Sequence, residues 1–422
     1  MTDPDSPSRL RRWARLAVVD ITPLRRHRDF RLLFVGRTVS TFGTMITNVA
    51  VPFQVYALTH SSLAVGVLGL FQIGPILTLA FLGGALADAH DRRRLVLFTE
   101  LAFTAMSAIL LINSALPHPQ LWVLYAVITG ITGLDALQSP SLTALRPRLV
   151  DREELAASSA IMGTTDNLSR ILGPALAGIL IATTGLPSTY GIDVATFVLS
   201  LVTLQVMRAV PPPRDAERPS IRRVVEGLRY ARTRPELLGT YAIDMVAMFF
   251  GIPTALFPAI AAQYKGASVL GFLYTAPAVG SFLATATSGW TGRVHRLGLG
   301  VAVAATCWGL AVLGFGLVSA LPFLFLFLAL AGAADEISAI FRSTLWNATI
   351  PDALRGRLAG IELISYSSGP TLGNVESGVV ASLFSVRTSI ISGGALCVVG
   401  VVGLTLALPS LRAFDNRTEN QK

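Results

Sequence analysis

The chain has 422 residues, of which 52% are apolar and only 14% charged, and its mean hydropathy is +0.60. Soluble domains carry about 25% charged residues, so this composition excludes an ordinary soluble protein. A helix that spans a bilayer uses roughly 20 apolar residues, and about twelve such helices with short loops would use the whole chain. We therefore expect an all-α polytopic membrane protein with no large soluble domain.

The formal net charge is +9, which in a soluble protein would suggest a nucleic-acid partner. In a membrane protein the same excess marks loops that face the cytoplasm, so we expect no nucleic-acid partner. Lys265 and Lys422 are the two lysines, and neither stands in a Walker A frame. Zinc-type H-E-x-x-H and C-x-x-C patterns are missing as well. The sequence thus predicts no enzyme, no metal site and no cofactor.

The amino-terminal region, residues 1–29, is polar and arginine-rich and lacks the apolar run of a signal peptide. Residues 10–17 could form an interfacial helix, and a solvated cytoplasmic tail is the alternative. Six apolar segments fill residues 30–208, and six more fill residues 237–409, including one predicted as continuous over 237–262. We expect two six-helix bundles, joined by a cytoplasmic loop at 209–236 and followed by a cytoplasmic tail at 410–422.

The second predicted span ends in the run Gly83-Gly84-Ala85-Leu86-Ala87-Asp88-Ala89-His90-Asp91-Arg92-Arg93-Arg94. Gly84 permits close helix approach, and Asp88 can accept from the free amides at a helix start or pair with arginine. Arg92, Arg93 and Arg94 hold this loop on the cytoplasmic side.

The fifth predicted span carries Arg170, Gly173, Pro174 and Gly178. The two glycines remove side chains at a helix contact, and Pro174 frees a backbone carbonyl and bends the helix. Small-residue packing explains this segment nearly as well as a specific function does.

The central loop opens with Pro211-Pro212-Pro213, which cannot be helical. Apolar residues at helical spacing then face arginines between 221 and 232, which indicates an in-plane amphipathic helix on the cytoplasmic leaflet. A disordered linker is the alternative, and either one divides the chain into halves.

The two halves resemble each other, because Gly173 and Gly178 in the fifth span have counterparts in Gly373 and Gly378 in the eleventh. An internal repeat of this kind implies a pseudo-twofold axis and a site near mid-membrane between the halves.

Arginine placement indicates the orientation. Of the 34 lysines and arginines, Lys265 and Arg387 fall in predicted outer loops, four lie within spans, and the rest lie at one face. This bias places both termini in the cytoplasm and the chain in the cell membrane.

Ionisable side chains within the spans are the candidates for substrate and proton sites, since each costs roughly 2.5–3.5 kcal/mol at mid-bilayer on insertion scales. Structural pairing is the alternative for each of them. Asp166 and Arg170 are expected to pair at i and i+4. Asp135 has no arginine within helical reach, so we expect a buried acid there that could carry a proton. The candidates are Arg37, Asp135, Asp166, Arg170, Asp244, Asp335, Glu336, Arg342 and Glu376.

Asp335 and Glu336 are adjacent, so they point about 100° apart around a helix. One can face a cavity while the other seeks a partner, with Arg342 and Arg37 both open as that partner. Aromatic residues could line a broad apolar cavity, and a lipid-facing or helix-packing position is the alternative for each. These are Phe71, Tyr125, Phe249, Phe250, Phe257, Tyr274, Trp308, Trp346 and Tyr366.

The run from Gly84 to Arg94 resembles the signature of the major facilitator superfamily, and the segment count, central loop and related halves extend the resemblance over nearly the whole chain. The resemblance implies the twelve-helix facilitator fold and a conformational-switch role for the motif. The Gly173–Gly178 segment resembles an element of facilitator exporters, with one extra residue before the last glycine. The segments Pro140–Val150 and Asp244–Pro258 resemble the branch that contains enterobactin exporters and macrolide-type efflux proteins. Ala126 stands where many proton-coupled drug exporters carry arginine, so their proton relay does not transfer to this chain.

The resemblance implies a secondary active transporter, with proton-coupled export of a siderophore or an amphipathic drug by alternating access. An uptake permease or a lipid-handling facilitator is the alternative, and a non-transporting membrane sensor is a third class. The expected partners are a small amphipathic substrate, protons and lipid, and the expected state is a monomer.

Overall fold

The computed structural model describes residues 20–89, 91–208, 229–264 and 266–419, and the side chains in these ranges except at 80–89, 352–365 and 418–419. These residues are almost entirely helical and include no strand. The predicted interfacial helix at 10–17 and the predicted amphipathic helix after residue 220 lie outside the described residues.

The first half consists of α1 (Arg28–Thr59), α2 (Ser62–Ala89), α3 (Arg92–Ala115), α4 (Leu121–Leu145) and a long helical stretch, Leu155–Val206. Gly185 interrupts this stretch with φ +79° and ψ 173°. Because only glycine adopts that conformation without steric cost, the chain can turn there. We number the two parts α5 (155–184) and α6 (186–206).

The second half consists of α7 (Pro235–Gly251), α8 (Ala267–Ala286), α9 (Leu297–Leu317), α10 (Leu321–Thr349), α11 (Asp352–Leu383) and α12 (Val386–Ala407). Between α7 and α8 come a 3-10 turn, Thr254–Leu256, and a short helix, Phe257–Gln263. The prediction of one continuous helix over 237–262 was wrong. Pro253 lacks a backbone N–H and forces the preceding Ile252 into an extended conformation, so α7 ends at Gly251.

Nine helical stretches of the described chain are long and apolar enough to cross a membrane. Two differences separate this number from twelve. The stretch Leu155–Val206 counts once although Gly185 divides it, and α1 and α11 are not apolar enough to qualify. The chain is a multi-pass membrane protein, and twelve crossings stay a prediction.

One end of the molecule carries the connection between α1 and α2, and we call it the far end; the opposite end, where α1 begins, is the near end. At the near end of the first half, Asp91 caps α3 by accepting from the backbone N–H groups of Arg93 and Arg94. Arg93 donates to the carbonyls of Leu204 and Gln205 on α6, at 2.9 and 2.6 Å. These bonds satisfy carbonyls that a helix terminus leaves unpaired.

The two halves meet at the far end through two helix pairs, α2 with α11 and α5 with α8. On the first pair, Gly378 lies against the backbone of Leu63 and Gly66. On the second, a Cβ added at Gly178 would lie 2.8 Å from the nitrogen of Gly271. The Thr275 hydroxyl also donates to the Ile171 carbonyl at 2.9 Å across this pair. Glycine thus allows backbone-to-backbone packing between the halves.

The internal repeat predicted from Gly173, Gly178, Gly373 and Gly378 reappears in these contacts. Gly178 on α5 packs against α8, and Gly378 on α11 packs against α2. Five residues earlier, Gly173 contacts Met45 of α1, and Gly373 contacts the backbone of α7. Each half therefore offers equivalent helices to the other, as a pseudo-twofold arrangement requires.

Residues that follow α12, predicted as a tail, pack onto the second half. The short helix Pro409–Ala413 buries Leu411 completely, in contact with Gly239 of α7 and Gly298 of α9. The backbone N–H of Asn416 donates to the His295 carbonyl at 3.0 Å. This segment therefore packs against the near ends of α7 and α9.

Candidate functional site: a polar cavity between the halves

A cavity of about 270 Å³ lies between the two halves, just inside the helix pairs at the far end. Residues of α1, α2 and α4 line one side, and the 3-10 turn, α8 and α11 line the other. The lining residues are Asn48, Pro52, Val65, Leu68, Gly69, Gln72, Ile128, Thr254, Ala255, Tyr274 and Asn374. Much of its wall is apolar, carboxamides reach it from both halves, and its hydroxyls come from Thr254 and Tyr274 of the second half.

Asn374 joins α11 to the break after α7. Its side-chain oxygen accepts from the Thr254 hydroxyl at 2.6 Å and from the Ala255 backbone N–H at 3.0 Å. These two donors hold the side chain in one orientation. Asn48 is exposed to the cavity and Gln72 is half-buried, and neither has a hydrogen-bond partner among the described residues.

A buried charge cluster lies deeper in the second half, between α7 and α10. Arg342 forms an ion pair with Asp244, and its second terminal nitrogen lies 3.7 Å from Asp335. Asp244 and Arg342 are both buried, whereas the Asp335 side chain is 41% exposed. Of the two partners left open for Asp335, the structure selects Arg342.

Glu336 points away from this cluster, toward α8. Its carboxylate accepts from the hydroxyls of Ser281 at 2.6 Å and Thr285 at 3.0 Å. Adjacent acids on α10 therefore face different helices, as the 100° helical step predicts.

The charged candidates of the first half adopt a different arrangement from the predicted one. Asp135 on α4 is exposed rather than buried, and Arg37 and Arg170 both lie within electrostatic range of it. The expected pair between Asp166 and Arg170 is not formed. Arg170 extends from the helix and is exposed, while Asp166 is half-buried without a described partner.

Two buried acids of the first half were missed by sequence reasoning. Asp193 on α6 is fully buried and accepts from Thr47 on α1 and Ser107 on α3, each at 2.6 Å. Glu100 on α3 accepts from Gln138 on α4 at 3.0 Å. Both acids lie in apolar runs close to the ends of predicted spans. The polar residues Thr47, Ser107 and Gln138 in other predicted spans are the sequence signal that could have identified them.

The remaining predicted residues fall in several places. Gly84 and Asp88 lie on α2, where their side chains are not described. Arg92 donates to the Ala144 carbonyl of α4 at 3.1 Å. Arg94 is exposed at the start of α3, and Glu376 is half-buried on α11. Of the predicted aromatic residues, Tyr274 lines the cavity between the halves and Trp308 lines a small cleft beside Asp335.

Two equivalent helical bundles around a central cavity are the architecture of multi-pass transporters of the major facilitator type. Solved transporters share this fold over most of the chain. A POT family transporter in complex with 5-aminolevulinic acid superposes with a TM-score of 0.72 at 13% identity, covering 91% of this chain and 97% of that one. The nucleoside transporter NupG gives 0.72 at 12% identity, covering 90% and 98%. A bacterial homologue of the human lysosomal transporter Spinster, inward-facing and unoccupied, gives 0.67 at 14% identity, covering 93% and 97%.

The family model for transmembrane secretion effectors matches residues 19–422, so the chain belongs to that family. Curated relatives include the enterobactin exporter EntS of Escherichia coli O1:K1 / APEC, which is 28% identical over 399 residues, covering 94% of this chain and 96% of the relative. The same protein from Escherichia coli O157:H7 (strain EC4115 / EHEC) matches with equal identity and coverage. The chain is accordingly a transporter of a small molecule and not an enzyme.

Proposed function

We propose that this transporter exports a siderophore or a similar amphipathic molecule across the cell membrane by alternating access, driven by protons. The observation that carries the proposal is the 28% identity to an enterobactin exporter over 94% of the chain. The cavity lies between the halves, where alternating access requires the substrate to bind.

The arginine distribution supports a near end that faces the cytoplasm. With that orientation, the helix pairs α2–α11 and α5–α8 close the cavity toward the outside. The described structure then corresponds to a state that loads substrate from the cytoplasm. The chain acts as a monomer in this proposal, since the cavity is formed by one chain.

The groups proposed to carry protons are two acids of the membrane helices whose side chains are at least partly exposed, Asp135 and Asp335. Asp135 is exposed and lies near two arginines, and Asp335 shares Arg342 with Asp244. A proton on Asp335 would remove its negative charge, so Arg342 would pair with Asp244 alone. The electrostatic attraction between α7 and α10 would change as a result. Asp193 and Glu100 are enclosed within one half, so they serve better as structural groups.

Flux in proteoliposomes tests this proposal. The purified chain is reconstituted, a pH gradient is imposed, and movement of enterobactin and of the cationic dye ethidium is followed in parallel. We expect gradient-driven enterobactin movement that stops when an ionophore collapses the gradient. Protein-free liposomes provide the control.

Movement of ethidium instead would reassign the substrate to cationic drugs. Enterobactin accumulation in the opposite direction would favour the uptake alternative. No movement of either compound by folded protein would overturn the proposal.

A further inference from the structure

We propose that the cavity at the far end is a subsite for an uncharged carboxamide-like group of the substrate, held by Asn48 and Gln72 on one half and by Asn374 on the other. This inference rests on the proposed export function and assigns the chemistry that the cavity recognises. It differs from the charged candidates predicted from the sequence, none of which lines this cavity.

The orientation of Asn374 determines which part of its amide the ligand meets. Its oxygen is engaged by Thr254 and by the Ala255 N–H, so the remaining group for a ligand is the side-chain NH₂. An amide nitrogen of this kind only donates. The ligand must therefore present an acceptor, such as a carbonyl oxygen, to the second half.

The first half offers two complete carboxamides. Asn48 and Gln72 face the cavity without described partners, and each can both donate and accept. A neutral group that carries a donor and an acceptor can satisfy them together. A polar group without a bonding partner is costly once water is excluded, so an occupant that satisfies all three amides is favoured over an apolar one.

The uncharged lining of the cavity disfavours the binding of ions. None of its described lining residues is an acid, an arginine or a lysine. A cation placed there would lose hydration without gaining a countercharge, and this cost disfavours binding. The walls formed by Pro52, Val65, Leu68 and Ile128 are apolar and suit a ring.

The size of the cavity limits what enters. A volume of about 270 Å³ lies just under the usual range of roughly 300–1,000 Å³ for small-molecule sites. A single ring with its amide fits, whereas the remainder of a large substrate would extend toward the near end. The subsite would thus recognise one chemical group of a larger substrate.

The test compares benzamide with benzamidinium, which has nearly the same shape but carries a positive charge and has no acceptor. Binding to the full-length chain in nanodiscs is followed by saturation-transfer NMR, which detects weak ligands. The variants are Asn374→Asp, which keeps the acceptor for Thr254 and Ala255 but replaces the NH₂, and Gln263→Glu. Gln263 is exposed at the same end of the same half and lies outside the cavity, so this variant is the matched control.

We expect the wild type and Gln263→Glu to bind benzamide and to ignore benzamidinium. Asn374→Asp should lose benzamide affinity at least tenfold and gain benzamidinium binding. Equal benzamide binding in Asn374→Asp and wild type, or no binding to folded wild type, would overturn the subsite. Enterobactin flux by the same preparations separates the two proposals, since flux without benzamide binding rejects the subsite alone, and absence of flux rejects the export function.

Discussion

At the scale of single residues, the buried charges of the second half form one connected unit. Arg342 is shared between Asp244, which is buried, and Asp335, which is partly exposed. Removing one partner of a buried pair leaves an uncompensated charge, and this costs more than the pair contributes. The two acids should therefore differ in their effect on stability.

Asp244→Ala is expected to lower stability by about 3–5 kcal/mol, because Arg342 would keep only the more distant Asp335. Asp335→Ala should cost clearly less, since water reaches that side chain. Denaturation in detergent, followed by the fluorescence of the chain's tryptophans, measures both. Equal losses for the two variants would contradict the unequal sharing of Arg342.

Asp135→Asn is expected to abolish gradient-driven transport and to leave substrate binding intact, because the amide keeps the shape of the side chain but cannot carry a proton. Parallel flux and binding assays measure the two properties. Asp151→Asn provides the control, since Asp151 is an exposed acid at the near end. Unchanged proton coupling in Asp135→Asn would remove this residue from the mechanism.

Sequence reasoning at this scale singled out the charged residues of the second half, but it missed two buried acids of the first half and the neutral residues of the cavity. Arg342, Asp335 and Asp244 stood out because ionisable residues are costly in a membrane. Asn48 and Asn374 did not, because a carboxamide carries no charge and its role depends on the helices that meet around it. The pair expected between Asp166 and Arg170 failed because spacing along a helix permits a contact without requiring it.

At the scale of helices, the far-end contacts depend on glycine. A Cβ at Gly178 would lie 2.8 Å from the Gly271 nitrogen and 2.9 Å from the Ala267 oxygen. Both are backbone atoms, which cannot move without moving α8. A side chain at this position therefore separates α5 from α8.

Gly178→Ala is expected to open the far end and to reduce transport at least tenfold, because the closed state would become strained. Spin labels on the connections α5–α6 and α7–α8 would report a longer distance. Gly163→Ala on the same helix is the control, since a Cβ there meets nothing within 4 Å. Wild-type distances and flux in Gly178→Ala would show that the contact is dispensable.

Helix positions followed from hydropathy, but two boundaries did not. The break after Gly251 was hidden because Ile252 and the residues around Pro253 continue the apolar run. The start of α11 at Asp352 was missed because the charged residues before Leu358 resemble a loop. A helix that extends beyond the bilayer loses its hydropathic signal while it keeps its hydrogen bonds.

At the scale of the whole molecule, the two-bundle fold was predictable because the two halves of the sequence carry corresponding residues, as Gly178 and Gly378 illustrate. The closed far end was not. An alternating-access protein must be able to form contacts at either end, so one sequence contains the contacts of both states. Only a three-dimensional arrangement tells which set is formed.

Membrane topology can be tested on whole cells with a membrane-impermeant thiol reagent. With Cys307 and Cys397 replaced by alanine, a cysteine introduced at Ser114 should react from outside, because it lies near the far-end connection of α3 and α4. A cysteine introduced at Asp151 should react only after the cells are permeabilised. The reverse pattern would invert the proposed orientation and, with it, the direction of loading.

The packing of residues 409–414 determines when the second half can finish folding during synthesis. Leu411 completes the near-end contact between α7 and α9, although it is synthesised after α12. Domains fold as units during translation, generally from the amino terminus onward. The first half can therefore fold while the ribosome is still translating the chain. The second half cannot complete its packing until residues 409–414 have left the ribosome. A chain truncated before residue 411 would leave the surface around Gly239 and Gly298 uncovered, where proteases of the cell's quality control could recognise it.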